Sequence, residues 1–67
     1  MPNIHQVYIV QCKSNGLFLT VDLHYAISFK RAGRFQSLEE AVETGRYHLM
    51  DDFEVHSFYE VENALYG

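Results

Sequence analysis

Only one stretch of this chain has the periodicity of a helix, and that limits the fold more than any other feature. Leu38, Ala41, Val42, Gly45 and Leu49 recur at the three-and-four spacing of a single helix face, with Glu39, Glu40, Glu43 and Arg46 outside that stripe. Ser37 and Glu40 have capping-box spacing: the hydroxyl accepts from the Glu40 amide and the carboxylate reaches back. Such a cap is worth about 1 kcal/mol. Gly45 on the inner face costs roughly 1 kcal/mol of helix propensity against alanine, and a closer approach of helix to sheet compensates. Asp51-Asp52 fall beyond the helix end, where carboxylates oppose the dipole. A lone helix shields one side of a sheet.

The rest of the chain reads as strands and turns. Residues 5–12 are rich in β-branched and aromatic types and predict a first strand. Asn15-Gly16 then supplies the two positions tolerant of positive φ that a tight type I′ hairpin requires, and residues 17–21 follow as the second strand. Residues 25–30 alternate large apolar with small or polar side chains, the period of a third, half-buried strand. The link Asp22-Leu23-His24 lacks glycine and proline and predicts a bulge or bend instead of a true turn, and residues 31–34 form a loop. Residues 53–61 predict the last strand. Phe53, Val55, Ser57, Tyr59 and Val61 lie on the helix side, with Glu54, His56, Phe58 and Glu60 on the other. Residues 63–67 have no clear structure. The expected architecture is α+β: an antiparallel sheet of three to four strands with one helix on one face, in a single domain spanning residues 1–67.

A chain of 67 residues has room for one core and buries only about 60% of its unfolded surface. Cys12 is the single cysteine, so no disulfide forms within the chain, and a lone thiol fits a reducing, cytoplasmic compartment. The opening Met1-Pro2-Asn3 does not resemble a signal peptide, and the apolar runs are too short to span a membrane. The net charge is −4 and polarised. Residues 1–34 hold Lys13, Lys30, Arg31 and Arg34 against Asp22; residues 35–67 hold Arg46 against all the other acids. Phosphate binding needs a continuous basic surface, so this balance argues against general nucleic-acid affinity. It suits a protein partner with a basic patch.

Arg34-Phe35-Gln36-Ser37-Leu38-Glu39-Glu40-Ala41, following a hairpin that contains Gly16-Leu17-Phe18-Leu19, resembles a pattern in short phage and bacterial proteins of unknown function. In these a β-hairpin leads through an aromatic residue into a capped helix and a closing strand. The resemblance covers roughly residues 7–61. It implies the fold and a phage or mobile-element setting, and it carries no functional residues to transfer. In size and acidity the chain is also similar to anti-CRISPR proteins.

No catalytic pattern emerges. His5, His24, His48 and His56 fall on four different elements without ligand spacing, so no metal or other cofactor is expected. A Cys12–His dyad is conceivable, but nothing local lowers the thiol's pKa, and Cys12 reads as a packing residue. Asp51-Asp52-Phe53-Glu54 lacks the glycine-bearing loop of a calcium site. Phe18, Phe58 and Tyr8 suggest a base-stacking platform, with Lys13, Lys30, Arg31 and Arg34 for phosphates, but Glu54 and Glu60 share a face with Phe58 and would repel a backbone.

What remains is the aromatic surface, five Phe and five Tyr, of which one helix can cover only part. The leading expectation is a non-catalytic protein-binding module. Its concrete form is a phage-encoded inhibitor of a host defence or transcription complex, acting in the host cytoplasm through an acidic, phosphate-mimicking surface. The expected partner-binding residues are Glu39, Glu40, Glu43, Asp51, Asp52, Glu54 and Glu60, with Phe18 and Phe58 as apolar anchors. The alternatives are a homodimer built on the open sheet face or edge strands, and a weak single-stranded nucleic-acid binder.

Overall fold

The computed structural model describes residues 3–62, with side chains described for residues 4–61; the expectations for Met1-Pro2 and for residues 63–67 lie outside that range. Within it run β1 (Asn3–Cys12), β2 (Phe18–Leu19), β3 (Tyr25–Ala26), a 3-10 turn (Phe29–Arg31), α1 (Leu38–Leu49) and β4 (Phe53–Glu62). The strands form one antiparallel sheet in the order β3-β2-β1-β4. With α1 packed on one face, this is the α+β arrangement expected. Val10, Leu19 and Ala41 are fully buried between sheet and helix, surrounded by Tyr8, Phe35, Leu49, Phe53 and Val55.

The two short strands depart from expectation. β2 stops at Leu19 and β3 at Ala26, well inside the predicted ranges. The returning chain takes the place beside β1 instead: Gly33 N–H donates to Leu19 C=O, and Phe35 exchanges both backbone bonds with Tyr8 of β1. Both connections also differ. Gly16 N–H donates to Cys12 C=O and Cys12 N–H to Leu17 C=O, which closes a four-residue loop with Gly16 alone at positive φ, not a type I′ turn. Asp22-Leu23-His24 belongs to a true turn. Leu23 N–H donates to Thr20 C=O, Thr20 N–H to His24 C=O, and Leu23 takes φ 65°. This is the three-residue hairpin whose third position is left-handed.

The helix starts as predicted, with the Ser37 Oγ accepting from Glu40 N–H at 3.1 Å. Among the described residues only this forward half of the capping box forms. Ala41 and Gly45 are buried; Leu38, at the first helical position, is half exposed because it precedes the turn that touches the sheet. Gly45 marks the closest approach. A methyl there would stand 2.6 Å from the Phe53 ring. Gly45→Ala is therefore expected to destabilise by about 1–2 kcal/mol in a urea melt. The forced movement of the ring outweighs the propensity gained.

Length decides what the helix covers. Twelve helical residues reach roughly 18 Å, whereas ten strand residues reach roughly 33 Å, so α1 covers only the Phe53–Val55 end of the β1–β4 ribbon. Tyr59 and Val61, expected beneath the helix, are 70% and 57% exposed, and Ile4, paired with Val61, is 65% exposed. The overhang elongates the molecule to 39 × 23 × 17 Å.

The far face is not open as expected. Val7 and Ile9 are buried there, because the stretch from Phe29 to Arg34 crosses it. The Phe29 ring meets Phe58 edge-on at 6.4 Å, and the Arg34 guanidinium lies 5.7 Å from the Phe58 ring centre. Phe58 is consequently only half-exposed, and Phe18 is half-exposed as well.

Candidate protein-interaction surface

The nine residues singled out from the sequence do not gather on one surface. Glu39, Glu40 and Glu43 lie exposed on α1, on the helix side of the sheet. Glu54, Phe58 and Glu60 share the far face, in register with Gln11, Val7 and His5, and Phe18 joins that face opposite Gln11. Asp51 and Asp52 occupy the junction between α1 and β4. The strand's period of two separates acids that are neighbours in sequence.

Two of the acids already have partners. Glu60 accepts from Arg34 Nε at 3.0 Å, with both side chains partly buried. Asp52 ties the first hairpin to the helix end. Its Oδ2 accepts from the Ser14 hydroxyl at 2.6 Å and from the Cys12 thiol at 3.3 Å, and its carbonyl accepts from Lys13 N–H. These donors, Ser14 first and Cys12 second, lower the Asp52 carboxyl below its ordinary value of 3.8 against a smaller opposing effect of desolvation. A depressed carboxyl pKa stabilises the fold above its unfolded value and loses that contribution as pH falls through the folded one. NMR titration of the Asp52 carboxyl is expected to show this low midpoint, and Ser14→Ala to move it upward toward 3.8. Cys12 is buried and packs as expected.

Other chemistry is thin. Among the described residues no three His, Cys, Asp or Glu side chains converge as a metal site. His56 Nε2 contacts Gln11 Oε1 at 2.8 Å and Glu54 at 3.8 Å on an exposed strand surface. An open concavity of about 680 Å³ lies along residues 20–28, lined by Val21, Tyr25, Ile27 and Arg31 among others.

The surface that stands out is the outer edge of β4. Tyr8 gives both its backbone groups to Phe35, so its β4 partner Ser57 directs N–H and C=O away from β1. By strand alternation Val55, Tyr59 and Val61 do the same. No described residue pairs with them. β4 is long, regular from Phe53 to Glu62, and free of lysine, proline and bulges, the usual protections of an edge. Its exposed neighbours on the helix side are Tyr59, Val61 and Ile4. Sequence reasoning missed this group, although the mismatch between a short helix and a long last strand signals it. Neither family models, curated proteins nor solved structures gave a match to the chain.

Proposed function

We propose that this chain is a non-catalytic protein-binding module that engages its partner by strand addition along β4. The observation that carries this reading is the backbone edge at Val55, Ser57, Tyr59 and Val61, unpaired among the described residues and flanked by exposed apolar side chains. Strand addition draws affinity from main-chain hydrogen bonds and specificity from alternate side chains. In the setting suggested by the sequence, the partner is a host defence or transcription complex that the module inhibits. The acids on α1 then act as outlying charges that steer a basic partner, because their separation from Glu54 and Glu60 leaves no single phosphate-mimicking face.

Ser57→Pro tests the reading, since it removes one outward donor while leaving the β1 ladder intact. Random twelve-residue peptides displayed against the wild type and against this variant should yield sequences retained only by the wild type. Their binding should slow amide exchange at Val55, Ser57, Tyr59 and Val61, which are fast in the free protein. Peptides retained equally by both proteins, with those amides still fast, would overturn strand addition.

A further inference from the structure

We infer that the segment added to β4 is an extended stretch of a partner in which basic residues alternate with apolar ones; this rests on the strand-addition reading above. The pleat dictates the pattern. On the helix side an added strand meets Val55, Tyr59 and Val61, the last two largely exposed, and apolar residues cover them. On the far side it meets Glu54, His56, Phe58 and Glu60. β4 carries Glu54, Glu60 and Glu62 and neither lysine nor arginine. Arg34 already engages Glu60, while Glu54 has only the exposed His56 at 3.8 Å. A lysine or arginine opposite Glu54 gains an opposite-charge cross-strand pair.

A second copy of this chain fits less well. With Val55, Ser57, Tyr59 and Val61 supplying the bonds, the longest antiparallel self-pairings set Glu54 opposite Glu60 or Glu62 of the other copy, twice over by symmetry. The net charge of −4 adds repulsion between copies.

Four synthetic peptides separate the possibilities: Lys-Val, Ser-Val and Glu-Val, each repeated over eight residues, and the Lys-Val peptide N-methylated on alternate residues to remove its edge donors. Each is titrated into the intact protein at physiological salt, with affinity and amide exchange followed by NMR. The Lys-Val peptide is expected to bind roughly tenfold more tightly than Ser-Val, and Glu-Val more weakly still. Methylation should abolish binding, and Glu54→Lys should compress or reverse the order. Equal affinities with the edge amides protected overturn the basic partner and leave strand addition standing. Undiminished binding of the methylated peptide, or no protection by any peptide, removes strand addition itself. Edge amides protected in the free protein, with a dimer mass by light scattering, overturn the proposal in favour of a second copy.

Discussion

Leu19→Ala is expected to leave most of the chain unfolded at ambient temperature. Leu19 is the largest of the fully buried side chains and sits between Val10 and Ala41, where sheet and helix meet. Truncating a buried leucine costs about 2–5 kcal/mol, the upper end applying where the surroundings cannot collapse. Collapse is hindered here, since Leu19 is one of only two residues in β2 and its carbonyl also holds Gly33. At roughly 0.05–0.15 kcal/mol per residue, a chain of this length is stable by about 3–10 kcal/mol, and small domains lie near the bottom of that range. A loss at the upper end of the first range therefore exceeds a stability near the bottom of the second. Urea titration followed by circular dichroism should show little or no folded baseline. Ile27→Ala, which trims an apolar side chain that is 87% exposed, should stay within about 0.5 kcal/mol of wild type. A cooperative Leu19→Ala transition within 1 kcal/mol of wild type would place the core elsewhere.

How much of this was legible beforehand follows the range of the interactions involved. The helix was readable because its determinants are local: Ser37 caps the Glu40 amide, and the spacing of Ala41 and Gly45 sets the buried face. Even the role of Gly45 could be anticipated, although the ring it admits, Phe53, could not be named. β1 and β4 were readable because their composition suits a long paired ribbon. Val21, Tyr25 and Ile27 have the same strand-favouring character and yet lie outside the ladder or at its margin. What displaced them was non-local. Gly33 and Phe35 take the positions at Leu19 and Tyr8 that a longer β2 would have used. β-propensity reports how well a residue suits a pleated surface, and it does not report which segment wins the place beside β1.

The candidate surface suffered from the same limit. Charge summed along the chain correctly gives an acidic second half, but alternation in β4 sends Glu54 and Glu60 to the face opposite α1. Strand order, which among the described residues leaves β4 unpaired on one side, depends on contacts between distant segments and is not written in any local pattern. Arg34 was misread for a related reason. As part of a short basic loop it suggested a phosphate contact, whereas the fold engages its guanidinium internally.

Arg34→Ala is expected to lower stability by about 2 kcal/mol and to expose the far face of the sheet. The guanidinium organises this region. Its Nη1 faces the carbonyls of Phe29, Lys30 and Ala32, at 3.1, 3.1 and 2.6 Å, while Nε donates to Glu60. The first two carbonyls belong to the 3-10 turn: Phe29 C=O also accepts from Ala32 N–H, whereas Lys30 C=O has no other partner among the described residues. The same group lies over the Phe58 ring and helps hold the crossing stretch against β4. A hydrogen bond to a charged group contributes roughly 1.5–3 kcal/mol, and a partly exposed ion pair adds no more than about 1 kcal/mol. Several such bonds from one side chain do not sum, because they are lost together. Arg34→Lys should recover less than half of the loss, since an ammonium cannot reproduce the planar fork that serves carbonyls on one side and Glu60 on the other. Limited proteolysis should separate this effect from general unfolding: cleavage within residues 27–36 should accelerate in the variant well before β1 and β4 become susceptible. Uniform acceleration along the whole chain would mean that the 3-10 crossing is an integral part of the cooperative core and not a strap laid over it.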